Sequence, residues 1–176
     1  AVNLQDVIEI LGDNWENYRK SFLEGLENDN PLLQRINRYL YDNRGKQLRP
    51  VLSLLAAQSC GTPNEVSWSC AAVSEMIHTA TLLHDDVVDN SDMRRGALTV
   101  KAFFSPAASV LTGDFWLSRA LYMLTQSGSN ILNCFTFALE ELADGELFQM
   151  QKADTLDISE EDYYKIIYKK TASLFI

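Results

Sequence analysis

The sequence contains little of what interrupts helices or cross-links loops. Among 176 residues there are 8 glycines, 4 prolines and 3 cysteines. Alternating runs of β-branched residues bounded by turns, which indicate strands, are almost absent. The cysteines are odd in number and are not spaced as in a metal or disulfide motif, which favours reduced packing residues. These absences predict an all-α fold, a helical bundle whose site lies between helices.

The charge and the apolar runs argue against nucleic acid or a bilayer as the main partner. The chain has 24 acidic and 15 basic residues and a net charge of -9, and an acidic surface repels a phosphate backbone. Apolar runs such as "PVLSLLAA" are too short to cross a membrane. The first residues are polar and amphipathic and do not resemble a signal peptide. We therefore expect a cytoplasmic protein without nucleic-acid partner or transmembrane segment, although a local basic pocket could still bind a small anion.

Helical periodicity extends over most of the chain with no linker or repeat, which predicts a single helical domain over residues 1–176. Helices are predicted over residues 4–11 and 14–27, from Pro31 to about Asn43, from Pro50 to "CGTPNE", from Pro63 to about Asp89, over "ASVLTGDFWLSRALYMLTQ" and "NILNCFTFALEELADGELFQMQKA", and after Ser159. Thr62 with Glu65, and Ser159 with Asp162, are the predicted capping pairs. The segment "DNRGKQ" is predicted to be a loop, and Gly45 within it is the predicted helix stop. Because the sequence stops inside a helical pattern, we expect it to be the N-terminal portion of a longer protein.

Three aspartates, Asp85, Asp86 and Asp89, lie at the C-terminal end of the longest of the early helices. Helix C-termini carry partial negative charge, so this placement is unfavourable unless a cation compensates. Asp85 and Asp89 are one turn apart, and Asp86 lies on the flank of the same surface. Carboxylates in this arrangement suit Mg²⁺, which keeps several waters and shares its shell with phosphates. A solvated acidic helix end is the alternative, and Arg94 and Arg95 offer a further source of compensation.

Two histidines lie on the same helix. His78 is seven residues before Asp85, about 10 Å along the axis, which is too far to share a metal but close enough to bind an anion on that face. A satisfied core histidine is the alternative for His78. His84 lies off this face, and we interpret it as structural.

Four segments, "GKQLRP", "HTATLLHDDVVDNSDMRRG", "TGDFWLSRA" and "KKTASLF", occur in this order. Together they closely resemble trans-isoprenyl diphosphate synthases, particularly the long-chain group that includes octaprenyl and solanesyl diphosphate synthases. The resemblance runs from about residue 30 to the end. It implies an isoprenoid-synthase-type bundle and a Mg²⁺-dependent transferase that joins isopentenyl diphosphate head-to-tail to an allylic diphosphate, such as farnesyl or geranyl diphosphate.

The resemblance also implies a role for each matching residue. By this resemblance the metal is bound by Asp85, Asp86 and Asp89. The allylic diphosphate is bound by Arg94, Lys170 and Thr171. Isopentenyl diphosphate is bound by Lys46, Arg49, His78 and Arg95. The three aspartates, Arg94 and Lys170 are then the catalytic set. Gln149 is expected to line the cavity as a packing residue. Homodimerisation is also expected from the family.

Product length follows from two further positions. In this family, the residues five and four before the first aspartate gate the pocket for the growing chain, and here they are the small Ala80 and Thr81. The resemblance therefore implies a product of C20 or more, with C35 to C50 as the expected range, of the kind that serves as a quinone tail.

The chain departs from the family pattern in three places. The second aspartate-rich motif does not occur in these residues, Gln47 replaces a usual basic residue, and Arg44 replaces a usual glycine. A chain without the second motif is expected to be inactive alone. A non-catalytic partner subunit of a heteromeric synthase is one alternative, and a class I terpene cyclase is another. The "KKTA" and "GKQLRP" segments argue against a cyclase, because a cyclase has no second diphosphate to hold.

Overall fold

The computed structural model describes residues 3–155 and 157–174. The chain divides into two compact units, Ala1–Ser127 and Gly128–Ile176. Helices dominate both units, which confirms the predicted all-α class. None of the helices within the described residues is long and apolar enough to cross a membrane. The prediction of a single domain stays a prediction.

The first unit consists of seven helices and one short hairpin among its described residues. They are α1 (Leu4–Leu11), α2 (Asp13–Gly25), α3 (Pro31–Asp42), α4 (Leu48–Cys60), α5 (Glu65–Val88), β1 (Met93–Arg94), β2 (Ala97–Leu98), α6 (Val100–Phe103) and α7 (Pro106–Thr125). The strands pair antiparallel, with Met93 opposite Leu98 and Arg94 opposite Ala97.

Helix α5 is the centre of the first unit. Residues 71–77 are all buried, as expected for a helix that is covered on every side, and α2, α4 and α7 pack against it. The Ser109 hydroxyl donates a 2.7 Å hydrogen bond to the Leu83 carbonyl. Any side chain at Gly113 would collide with the His84 ring. The C-terminal half of α5 is therefore fixed directly against α7.

The second unit contains α8 (Ser129–Thr155), α9 (Glu160–Lys170) and a 3₁₀ turn (Ala172–Leu174). Ser159 and Asp162 form the predicted capping box at the start of α9. Gly145 on α8 allows close packing, because a Cβ there would meet the Cβ of Lys169 at 2.7 Å. The two helices therefore pack backbone against backbone near the end of α9.

Three boundary predictions were wrong. The cap of α5 is Asn64, which forms its box with Ser67, so Thr62 does not start the helix. Helix α4 begins at Leu48, because Gln47 takes the left-handed conformation and turns the chain before Pro50. Helix α3 ends at Asp42 with Asn43 as its C-cap, which confirms the predicted end near Asn43 but shows that Gly45 is not the stop. It instead provides space, since a side chain at Gly45 would collide with the guanidinium of Arg95.

Candidate functional site

Asp85 and Asp89 end α5 on consecutive turns. Asp85 is half-buried and Asp89 is exposed, and the Asp89 N–H closes the helix by donating to the Asp85 carbonyl at 2.8 Å. We call these two residues the acidic edge. Their carboxylates add negative charge to the negative end of the helix dipole, so this edge attracts cations.

Asp86 is placed differently from its two neighbours. It is only 3% exposed, and its Oδ1 accepts hydrogen bonds from Arg94 Nε at 3.0 Å and Arg94 Nη2 at 2.9 Å. Such an ion pair satisfies a carboxylate that would otherwise be costly to bury. Arg94 thus provides the charge compensation that the sequence predicts from the following arginines, and the metal-binding role of Asp86 stays a prediction.

The hairpin brings both arginines to α5. Its turn residues Arg95 and Gly96 have φ values of 53° and 81°, the positive values that a two-residue type I′ turn requires. The loop before it is fixed by Thr99, whose hydroxyl donates to the Ser91 carbonyl at 2.9 Å, and by Lys101, which pairs with Asp92 at 2.8 Å. Arg94 and Arg95 therefore project from a short, well-anchored ribbon.

The acidic edge suits a hard divalent cation. Within residues 3–155 and 157–174, no group of three or more His, Cys, Asp or Glu side chains is assembled to hold a metal. The edge itself offers two carboxylates on consecutive turns. Mg²⁺ is commonly held by one or two carboxylates, with water and substrate phosphates filling its other positions. The donors at this edge fit that pattern.

A second feature is a cavity of about 570 Å³, which we call the basic cavity. It is lined by Arg44, Gly45, Lys46, Gln47, Leu48, Arg49, Glu75, His78 and Arg95. All four residues predicted for isopentenyl diphosphate, namely Lys46, Arg49, His78 and Arg95, lie on its wall. They come from the loop before α4, from α4, from α5 and from the hairpin turn.

Burial and the surrounding cations keep His78 neutral. Burial, which has the larger effect, and the nearby charges of Arg49, Arg95 and Arg94 together lower the pKa of His78 from 6.5 to about 3. A neutral imidazole can donate one hydrogen bond without adding charge. His78 is therefore suited to bind an anion as a neutral donor beside the cations.

Three residues of the basic cavity were missed from the sequence. Glu75 is buried three residues before His78, Arg44 adds a fourth cation, and Gln47 donates from Nε2 to the buried Tyr18 hydroxyl at 3.0 Å. The signal for Glu75 was an acidic residue inside the apolar run "SEMIHTATLL". Gln47 and Arg44 had been noted only as departures from the family pattern.

Lys170 and Thr171 lie in the second unit. Lys170 Nζ pairs with Glu146 Oε1 at 2.8 Å and donates to Gln149 Oε1 at 2.6 Å. An ammonium group has three N–H donors, so these contacts are compatible with one further acceptor. Thr171 is exposed and caps α9, its N–H donating to the Ile167 carbonyl. Gln149 thus holds Lys170 within this unit. The predicted position of Gln149 on the cavity wall stays a prediction.

The proposed gate residues differ in burial. Ala80 is 1% exposed, and its carbonyl approaches Gly113 of α7. Thr81 is half-buried and donates its hydroxyl proton to the His78 carbonyl at 2.8 Å. His84, interpreted as structural, contacts Val110 O and Asp114 Oδ1, both at 3.2 Å, within the α5–α7 packing.

Comparisons with known proteins identify a family for the chain. Residues 30–176 match the sequence model of the polyprenyl synthetase family. Octaprenyl diphosphate synthase from Escherichia coli (strain K12) is 42% identical over 175 residues, covering 99% of this chain and 54% of that protein. The geranyl-diphosphate-specific all-trans-nonaprenyl-diphosphate synthase of Rhodobacter capsulatus is 36% identical over 173 residues, covering 97% and 53%.

Solved structures give the same result. Polyprenyl synthase from Caulobacter crescentus CB15, complexed with calcium and isoprenyl diphosphate, matches with a TM-score of 0.91 and 32% identity, covering 98% of this chain and 53% of that one. A decaprenyl diphosphate synthase from Rhodobacter capsulatus matches with the same TM-score and identity, over 98% and 54%. The chain therefore spans about half the length of the relatives it matches.

Proposed function

Because the chain belongs to the polyprenyl synthetase family, we propose that it contributes both diphosphate-binding sites of a long-chain trans-polyprenyl diphosphate synthase. The reaction is the head-to-tail condensation of isopentenyl diphosphate with an allylic diphosphate. The observation that carries the proposal is the arrangement along α5, which bears the acidic edge at its end and, two turns earlier, contributes His78 to the wall of the basic cavity.

The two sites have different tasks. The allylic diphosphate must leave with its electron pair, so its oxygens need compensating positive charge as the C–O bond breaks. The double bond of isopentenyl diphosphate then attacks the allylic carbon, and a proton is lost from the adduct. Isopentenyl diphosphate keeps its own diphosphate throughout, so it needs only a positioning site. The basic cavity supplies that site through Lys46, Arg49, Arg95 and the neutral His78.

The acidic edge is the proposed site of the leaving diphosphate. Asp85 and Asp89 would hold Mg²⁺, which when bound supplies positive charge to the departing diphosphate. Arg94 is fixed by Asp86 through Nε and Nη2, which orients its guanidinium. We assign to Asp86 the positioning of Arg94 in place of metal binding. The assignment of Lys170 and Thr171 to the allylic diphosphate rests on the resemblance alone.

The product is proposed to be a long all-trans prenyl chain that serves as a quinone side-chain precursor. Small residues at positions 80 and 81 support this, as do relatives that make octaprenyl and nonaprenyl diphosphates. Farnesyl or geranyl diphosphate is the proposed starter. A homodimer and a cytoplasmic location are further proposals, carried over from the family and the composition respectively.

The direct test is product formation. We expect the native enzyme that contains this chain, incubated with Mg²⁺, farnesyl diphosphate and labelled isopentenyl diphosphate, to yield labelled prenyl diphosphates of C35 to C50, and chelation of Mg²⁺ to abolish them. Intact mass should be measured on the same sample to define the chain that was assayed.

Each other outcome has a specific meaning. If the native enzyme binds isopentenyl diphosphate but forms no product, the proposed catalysis is contradicted and the partner-subunit alternative is favoured. If farnesyl diphosphate alone is converted into hydrocarbons, a terpene cyclase is favoured. If neither diphosphate binds, the proposed function is wrong.

A further inference from the structure

Glu75 is a buried acidic side chain in a cavity otherwise rich in positive charge. It is 5% exposed and borders both the basic cavity and a second, smaller cavity that also contains Asp86 and Arg94. A carboxylate removed from water is costly unless neighbouring charges compensate. Neither the comparisons nor the sequence motifs assign it a role.

We propose that Glu75 is a positioning residue whose carboxylate holds the side chains of Arg49 and Arg95 against the wall of the basic cavity, preset for a diphosphate. Arg49 reaches the cavity from α4, Arg95 from the hairpin turn and Glu75 from α5. Side chains from three separate elements thereby line the one cavity where the anion would bind.

The balance of charge supports this arrangement. Burial raises the pKa of Glu75, while Arg49 and then Arg95 act in the opposite direction and favour its ionised form. For Arg49, burial lowers the pKa, Glu75 raises it and Arg95 lowers it. The two arginines thus repel each other, and Glu75 attracts both.

Arg95 has the greatest need of such an anchor. It is an exposed residue on a two-residue turn with φ of 53°, so its side chain has solvent-directed alternatives. In the structure its guanidinium instead lies against the backbone of Gly45. The loop that contains Gly45 is fixed in turn by the Gln47–Tyr18 hydrogen bond. Removal of Glu75 would leave Arg95 repelled by Arg49, with no opposing attraction from that position.

The test rests on the proposed function, since it uses isopentenyl diphosphate as the probe. Calorimetric titration without metal should show that Glu75→Gln raises the Kd about tenfold, the cost of misplacing charged donors. Glu75→Asp, which keeps the charge, should show a smaller increase. Glu24→Gln, which removes an exposed acid from α2, should bind like the wild type. Thermal unfolding of every variant separates affinity from stability.

Whether Glu75→Gln weakens or strengthens the binding of isopentenyl diphosphate decides whether Glu75 is a positioning residue. Removing a negative charge from an anion site, with nothing else altered, strengthens anion binding, so unchanged or tighter binding by Glu75→Gln overturns the inference while leaving the site itself intact. A lower unfolding temperature with an unchanged Kd would also overturn it. If Glu75→Gln does not fold, Glu75→Asp decides, and a wild-type Kd for that variant counts against positioning. If the wild type does not bind, the proposed function of the cavity fails first, and the inference with it.

Discussion

The acidic edge and the basic cavity both use residues of α5 but present charge in opposite ways. At the edge, Asp89 is exposed and Asp85 half-buried, so the acidic charge lies at the boundary with solvent. In the cavity, the cations of Arg49 and Arg95 are offset by the buried Glu75, and His78 is held neutral. The edge would acquire affinity for diphosphate only with a metal, whereas the cavity carries its own donors.

The largest expected effect comes from substitutions that disrupt only the acidic edge. Asp85→Asn or Asp89→Asn should weaken Mg²⁺-dependent binding of farnesyl diphosphate by about 100-fold or more, since several kcal/mol of metal-mediated charge stabilisation are lost. Metal-free binding of isopentenyl diphosphate should stay at the wild-type value. Calorimetry with and without a chelator measures both.

The matched control for the edge is Asp42→Asn, which changes an exposed aspartate at the end of α3. It should leave both affinities unaltered, and helical content by circular dichroism should match the wild type in all three variants. Retention of metal-dependent binding by the Asp85 and Asp89 variants would remove the metal assignment.

The second-largest expected effect comes from a substitution that disrupts only the basic cavity. Arg49→Met should raise the Kd for isopentenyl diphosphate about 10- to 100-fold, because a hydrogen bond to a charged group contributes about 1.5–3 kcal/mol. Metal-dependent binding of farnesyl diphosphate should change little. The matched control is Arg38→Met, an exposed arginine on α3. Equal losses of both ligands would show that the two sites are not separate.

A smaller effect sharpens the assignment of Asp86. Asp86→Asn removes the charge that pairs with Arg94, and we expect a loss of roughly 1–2 kcal/mol in unfolding free energy, since Arg94 is partly exposed and the pair is partly screened. Binding of farnesyl diphosphate with Mg²⁺ should fall less than tenfold. Urea denaturation and calorimetry give the two numbers. A loss of metal binding as large as that of Asp89→Asn would return Asp86 to the metal site.

The different environments of the three aspartates show what a motif can and cannot predict. Spacing along a helix predicted the common face of Asp85 and Asp89, because that depends only on residues of one element. The partner of Asp86 comes from a hairpin whose strands have two residues each, too short to show an alternating pattern. The burial of Asp86 depends on this pairing between two elements, and the periodicity of a single element does not predict such a pairing.

The same distinction applies to the basic cavity. Lys46, Arg49, His78 and Arg95 were found because they belong to segments with a family resemblance. Glu75 is on the same helix as His78, but its partners come from α4 and the hairpin. An acidic residue in an apolar stretch predicts either a solvated face or a compensated interior, and only the fold distinguishes them.

The smallest expected effect is the pH dependence of folding stability that the basic cavity produces through His78. His78 binds a proton near pH 6.5 when unfolded, but its pKa in the folded protein is about 3. The unfolded state therefore binds more protons between these values, and folding stability falls as the pH decreases through that range. By pH 5.5 the loss should be about 1 kcal/mol.

His78→Gln should remove that component of the pH dependence, because glutamine does not titrate. Urea denaturation at pH 7.5 and 5.5 measures it, and the quantity to compare is the change in unfolding free energy between the two pH values. His84→Gln is the matched control, since His84 lies on the same helix but contacts Asp114 and Val110. An identical pH dependence in the wild type and His78→Gln would mean that the cavity does not hold His78 neutral. The charge balance of the basic cavity, and with it the contrast to the acidic edge, would then rest on Glu75 alone.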